Sequence, residues 1–388
     1  MNPAEHATGG AGQPAPISSH PAPDTGPGRT SLFEFDLASL GAEVEAMGLP
    51  RRTAPQLLKW IYEKGVTDFD RMSDLSKDAR AQVAARFATL QGTVIRHQVA
   101  TDDTQKLLVE WAPSDEEIPA ETALRIAGTA TERQTETVMI PADDRRTACV
   151  SSQVGCPVGC RFCASGLGGL DGNLTAGRIV EQVWRLGRLP GVGRVSNVVF
   201  MGMGEPLANF SNVTQAIRIL NAEWGLGIGA RRITVSTVGL PPAIRRLCAF
   251  EIPVTLALSL HAPFDELRRQ IIPWAEYSTI EELLDACQEW FVKTGREITL
   301  EYIMLGGVND RREHAEELAR LARTMRANVN LIRYNEVAGV PFVRPRGDDV
   351  HAFQEILRSR HVNVHIRASR GRDIAAACGQ LRHEHAKA

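Results

Sequence analysis

Cys156, Cys160 and Cys163 stand at C-x3-C-x2-C spacing in the stretch VGCPVGCRFCASG, residues 154–166. Three thiolates so close together can face one point only if the backbone wraps around that point, and Gly155, Pro157 and Gly159 supply the turn geometry for it. Soft thiolate ligands select zinc, copper(I) or iron–sulfur clusters. Structural zinc takes four protein ligands, usually beginning from C-x2-C or C-x4-C pairs. No fourth Cys or His lies near enough in sequence to close such a set. Three thiolates with Phe162 among them suit a [4Fe–4S] cluster with one open iron, and the plainer alternative is a zinc knuckle or a group of buried thiols.

The elements that must hold this loop alternate. From Arg145 onward, apolar strands are expected at 147–153, 196–201, 232–237, 254–260, 298–304, 329–334 and 362–367. Helices are expected between them near 175–188, 211–222, 241–249, 279–293, 311–326 and 348–360, with Thr175 as N-cap of the first. Alternation of this kind predicts an α/β fold, a partial (β/α) barrel of parallel strands. Parallel barrels place their active sites at the C-terminal strand ends. Those ends here carry the cysteine loop, Gly202–Pro206, Ser236, Ser259–His261, Gly306–Asn309 and Asn335. One Gly-rich end is ordinary turn chemistry; six on one rim point to a site.

The chain has 388 residues, 43% apolar and 23% charged, enough for a barrel-sized domain and a smaller one. Its formal net charge of −2 gives no global attraction to nucleic acid, so an RNA surface has to be a local basic patch. Residues 1–29, rich in Pro, Gly and Ala, read as a disordered tail, and 30–88 as a small helical domain. A helix entered at Pro50 carries Leu57, Leu58, Trp60, Ile61 and Tyr62, and a second runs from about Ser76 to Phe87. Residues 89–141 read as a β-rich connector with strands at Leu107–Val109 and Glu136–Ile140 and an acidic insertion at Asp115–Glu121; the catalytic unit follows from 142 to 388. Met1–Pro16 lacks the basic start and apolar run of a secretory signal, and no stretch approaches the ~20 apolar residues of a membrane span. Seven cysteines without such a signal suggest the reducing cytoplasm.

With the rim assembled, the chain resembles the RlmN/Cfr family of radical S-adenosylmethionine (SAM) RNA methyltransferases, and its RlmN branch more closely, from about Leu32 to Leu381. The matching pieces are RRTACVSSQVGC (145–156), CRFCASG (160–166), MGMGEPL (201–207), ALSLHAP (257–263), LEYIMLGGVND (300–310) and RGRDIAAACGQL (370–381). The resemblance implies that Cys156, Cys160 and Cys163 hold a [4Fe–4S] cluster whose open iron binds SAM, and that Gly204, Glu205, Ser236, Ser259, Leu260, His261 and Asn335 line the SAM site. It further implies a two-SAM reaction on adenine C2 of 23S rRNA, and of tRNA. Cys378 is methylated first, a 5′-deoxyadenosyl radical then activates its methyl group, Glu136 removes the ring proton, and Cys149 releases the product by a disulfide with Cys378. A monomer reduced by flavodoxin or ferredoxin is expected. The chain departs from the family pattern at Arg333, Glu336 and Gly172.

Read without the resemblance, several of these residues are bland. Ile374, Ala377, Cys378 and Leu381 fit one helical face, and Glu136 passes for an exposed strand residue. Cys248 and Cys287 read as core residues. Arg370 and Arg372 are the expected cations beside Cys378. The RNA surface is expected at Arg344, Arg346, Arg358, Arg360, Arg367, Arg370 and Arg372, extended by Arg51, Arg52 and Lys59. The motifs leave open methylation at C8 of the same adenine, a radical SAM enzyme with another substrate, and a metal-stapled RNA-binding protein without catalysis.

Overall fold

The computed structural model describes residues 13–14, 20–23, 29–111 and 133–381. The acidic insertion Asp115–Glu121 and most of the tail lie outside them. Within the tail, β1 (Gln13–Pro14) pairs antiparallel with Gln98 and Val99, and His20 Nε2 lies 3.2 Å from His97 Nδ1. These residues are therefore bound to the sheet, where a wholly disordered tail was expected.

The small domain is helical because its caps and apolar spacing agree. β2 (Thr30–Ser31) precedes α1 (Leu37–Ala46), which opens on a reciprocal capping box of Asp36 and Ser39. α2 (Thr53–Leu58) continues into a π turn, Lys59–Glu63, and this wider turn lets three consecutive side chains, Trp60, Ile61 and Tyr62, all be buried. α3 (Lys77–Arg86), capped by Ser76, leads to β3 (Phe87–Ala88), which returns beside β2. Glu34 fastens the domain to the barrel by accepting from Gly177 N at 2.8 Å, the first turn of α4 (Ala176–Leu186), with Thr175 as its N-cap. Trp184 Nε1 on that helix donates to Ile61 O at 2.9 Å.

The connector does not stand apart. β4 (Gly92–Val99), β5 (Gln105–Trp111) and β6 (Gln134–Pro141) form an antiparallel run joined to β7 (Arg146–Cys149), the first barrel strand. Beyond β7 come the parallel strands β10 (Asn197–Phe200), β11 (Ile233–Thr237), β12 (Thr255–Ser259), β13 (Ile298–Met304), β14 (Ala327–Arg333) and β15 (Asn363–Arg367). Among the described residues these ten, with β1 at the connector edge, make one eleven-stranded sheet, parallel on the barrel side and antiparallel on the connector side. Helices α5 (Phe210–Asn221), α6 (Pro241–Cys248), α8 (Ile280–Thr294), α9 (Arg312–Ala322) and α10 (Gly347–Ser359) cover it near their expected places. One helix was not foreseen, α7 (Asp265–Ile271), too short for its periodicity to register. The expected strand 147–153 breaks after Cys149; the chain resumes as β8 (Gln153–Gly155), paired with β9 (Leu170–Asn173).

Glu181 on α4 joins connector to barrel. It accepts from Gln91 N at 2.8 Å, Gly92 N at 3.0 Å and Arg185 Nε at 2.8 Å, and the Glu181 and Arg185 side chains are both fully buried. Replacing Arg185 with Met leaves that carboxylate without its cation, and we expect a loss of about 3–5 kcal/mol in urea denaturation. No helix among the described residues is long and apolar enough to cross a membrane.

Candidate active site

β8 and β9 close the cysteine loop at its base. At Gly155 φ is +74°, and an added Cβ would lie 2.1 Å from Gly169 O, so only glycine allows the two ends of the loop to approach. Cys156 N then donates to Gly169 O at 2.7 Å, and Cys163 N to Cys160 O at 3.0 Å. Arg161 N donates to Ile271 O at 3.0 Å, tying the loop to the end of α7. Phe162 is buried edge-on against His261, ring centroids 5.2 Å apart.

The three cysteines line one cavity of about 140 Å³ together with Gly204, Glu205, Ser236, Ser259 and His261, the rim residues expected for SAM. Burial pushes the Cys156 thiol up to about 12 and the Cys160 and Cys163 thiols upward as well. Thiols held in this partly buried wall are stabilised as thiolates once a metal bonds to them. No three Cys, His, Asp or Glu side chains among the described residues are grouped to hold a single ion. A cubane, which binds each thiolate at a different iron, suits this loop.

The rim is built by backbone. Gly204 has φ +99°, where a Cβ would meet Gln153 Cβ at 2.7 Å. Glu205 accepts from Leu207 N at 3.0 Å and Val238 N at 2.9 Å, joining the ends of β10 and β11, and burial raises its carboxyl to about 7. Ser236 Oγ and Ser259 Oγ lie 3.3 Å apart. His261 holds φ +59°, unusual for a side chain, and its Nδ1 accepts from Ile303 N at 3.1 Å, so Nε2 carries the proton. Burial, with Arg268 adding to it, lowers the imidazole to about 3 and keeps it neutral. Leu260 packs into the barrel core rather than lining the cavity.

Asn335 lines a second, smaller cavity of about 50 Å³, with Cys149 and Cys378 also in its wall. Cys378 lines both cavities. Its segment is not a helical face: a short 3-10 turn, Arg372–Ile374, is followed by left-handed residues Ala375 and Gly379. Ala164 N donates to Gly379 O at 2.8 Å, and Ser165 Oγ to Leu381 O at 2.5 Å, so the cysteine loop holds the Cys378 segment directly. All seven cysteines are free, with Cys248 and Cys287 in the core as expected.

Two expectations are corrected. Arg367, at the end of β15, lines both cavities with Cys378, and the charge of Cys378 is the first cause that raises its own ionisation. Arg370 lines the smaller cavity as well, with its Nη1 3.9 Å from Asp102, and Arg372 lines neither. Glu136 is buried, not exposed, and its Oε1 lies 2.6 Å from Lys106 Nζ. It stands outside the walls of both cavities. Lys106, which also donates to Ala375 O at 3.2 Å, escaped the sequence reading. A single Lys beside the apolar run Leu107–Val109 was the available signal.

Comparison with known proteins agrees with this geometry. A model of the radical SAM superfamily matches residues 150–368, and one of the ribosomal RNA large subunit methyltransferase N-terminal domain matches residues 30–88. The chain is 44% identical to a protein of Rhodopirellula baltica named "Probable dual-specificity RNA methyltransferase RlmN", over 92% of either chain. It is also 44% identical to that of Gloeobacter violaceus, over 91% of this chain and 95% of the relative. A radical SAM methyltransferase from Sphaerobacter thermophilus, 42% identical, superposes with a TM-score of 0.84 over 92% of this chain and all of its own. The chain therefore belongs to the radical SAM superfamily and, within it, to the RlmN family of RNA methyltransferases.

Proposed function

We propose that this protein methylates C2 of an adenine in 23S rRNA, and in tRNA, through a methyl group carried on Cys378. The observation that supports it best is the position of Cys378, in the wall of both the cluster cavity and the cavity of Cys149. A methyl carrier has to meet SAM on one side and a resolving thiol on the other. Adenine C2 offers no electron pair for a polar methyl transfer, so carbon has to be delivered as a radical. The reduced cluster, once bound, supplies the electron that cleaves SAM.

The chain's residues then divide the work. Arg367 lines both cavities beside Cys378, the residue that takes a methyl group from a first SAM. Gly204, Glu205, Ser236, Ser259 and His261 line the pocket of the second SAM, the radical source, with Leu260 packed in the core behind it and Asn335 in the adjoining cavity. Glu136, whose Oε1 lies 2.6 Å from Lys106 Nζ, accepts the ring proton. The Cys149 thiolate attacks the Cys378 sulfur: the S–S bond forms as the S–CH2 bond breaks, and the carbon keeps that electron pair, takes a proton and leaves as the methyl group of the base. We place the reaction in the cytoplasm, carried out by a monomer with flavodoxin or ferredoxin as electron donor. Mass spectrometry of rRNA and tRNA from a deletion strain tests the whole reading. Loss of 2-methyladenine from both RNAs is expected, and loss of 8-methyladenine instead would move the target atom to C8.

The cluster is tested at its ligands. Anaerobically purified Cys156→Ala, Cys160→Ala or Cys163→Ala protein should lose most bound iron and all SAM cleavage, since each thiolate holds one iron. A triple variant with iron content equal to the parent would refute the assignment.

The RNA surface contracts to the mouth of the Cys378 segment. Arg358 is paired with Glu355 and Arg360 with Glu316, while Arg367 faces inward to Glu301. Arg344 and Arg372 line an open cavity of about 400 Å³ with Asn335, Asp373 and Gln380. Neutralising Arg344 or Arg372 should each lower the salt slope of RNA binding by about one, with sequence preference unchanged. An unchanged slope, with affinity lost instead on neutralising Arg51, Arg52 and Lys59, would move the surface to the helical domain.

A further inference from the structure

Arg268 on α7 is one of the largest fully buried side chains, and its guanidinium is bonded to backbone carbonyls rather than to an acid. Nε donates to Leu260 O at 3.1 Å, and Nη2 donates to Val238 O and, at 3.4 Å, to Ser259 O. Among the described residues no carboxylate stands within ion-pair distance of it. A buried charge satisfied only by dipoles is costly, and a fold that keeps one generally supplies an opposite charge nearby. The nearest elements show where that charge belongs. α7 ends against the cysteine loop, with Ile271 O accepting from Arg161 N, and Leu267, Ile271, Cys156, Cys160 and Cys163 pack in one cluster. Val238 and Ser259, whose carbonyls the guanidinium holds, line the same cavity as Cys156, Cys160 and Cys163.

We propose that Arg268 is the fixed counter-charge of the iron–sulfur centre and sets how readily that centre accepts its electron. This rests on the assignment of Cys156, Cys160 and Cys163 as cluster ligands. A [4Fe–4S] core held by three thiolates carries one net negative charge when oxidised and a second when reduced. A permanent cation in the dry wall beside it stabilises the reduced form more, because the attraction scales with the charge. The same guanidinium holds the carbonyls of Val238, Ser259 and Leu260, and so fixes the loops that carry Ser236, Ser259 and His261. It is a positioning and tuning residue that does not touch SAM.

The charge and the clamp are separable. Arg268→Gln keeps amide donors for the carbonyls without the charge; Arg268→Lys keeps the charge and gives up the fork. The readout is the reduced fraction of the cluster by electron paramagnetic resonance at a series of fixed potentials, on full-length reconstituted protein with iron measured alongside. Both variants are expected to keep their iron. Arg268→Gln should lower the ratio of reduced to oxidised centre about tenfold at a given potential, about 59 mV downward for a one-electron couple. Arg268→Lys should stay within about threefold of the parent while binding SAM more weakly. If Arg268→Gln does not fold, Arg268→Met is the second neutral variant and carries the same expectation. A midpoint unchanged in the neutral variant overturns the proposal and leaves Arg268 a clamp of the backbone. Parent protein that takes up no cluster would instead refute the ligand assignment, whatever the variants do.

Discussion

Cys378→Ala protein should hold its iron and bind SAM as the parent does, yet form methylated RNA more slowly by at least about three orders of magnitude, because no other residue can take over a covalent carrier step. The structure makes this a clean deletion. Cys378 is partly exposed in the walls of two cavities, and its segment is fixed by contacts that the side chain does not make: Ala164 N on Gly379 O, Ser165 on Leu381 O and Lys106 on Ala375 O. Truncating the thiol leaves the fold of the segment intact. Parent protein isolated from cells should also carry one extra methyl group on the peptide that contains Ala377–Gly379. Methylated RNA formed by the variant at the parental rate would dispose of the carrier mechanism, and an unmethylated parent peptide would leave Cys378 without its first task.

Much of this site was legible in the sequence, for a physical reason. Parallel strands bury both faces and so announce themselves as apolar runs, and each must end in small or polar residues to turn at the rim. The strands from Asn197–Phe200 to Asn363–Arg367 were located that way, and so were Gly204, Ser236, Ser259 and His261 at their ends. What escaped is local geometry without periodicity. α7 is too short to show a face, yet it brings Arg268 under the SAM loops and anchors the cysteine loop. The π turn at Lys59–Glu63 shifts the buried face mid-helix, which no fixed period follows. Charge partners were misjudged because partnership is set by tertiary contact. Arg370 and Arg372 are nearer to Cys378 in sequence, but Arg367 reaches it from β15. Glu136 looked exposed because its partner, Lys106, comes from the neighbouring antiparallel strand.

Cys149→Ala is expected to give a different phenotype from Cys378→Ala: protein that purifies with RNA covalently attached. Cys149 ends β7 with its carbonyl fixed by Thr137 Oγ1 at 2.9 Å, and its thiol shares the small cavity with Cys378. Without it the bond between the Cys378 sulfur and the methylene now attached to the adenine has no thiolate to break it. Nuclease digestion should then leave a single nucleotide on the Cys378 peptide, and essentially every turnover should stop there. The parent enzyme supplies a second test. Burial pushes the Cys149 thiol up to about 12, with the charge of Cys378 adding to it and Arg367 opposing. Attack requires the thiolate, whose share rises about tenfold per pH unit below the thiol's pKa. Release of a trapped RNA adduct in single turnover should therefore quicken with pH across the neutral range, and replacing Arg367 with Met should slow it at every pH. A Cys149→Ala protein that is inactive but free of RNA, together with release that ignores pH in the parent, would take the resolving role away from Cys149.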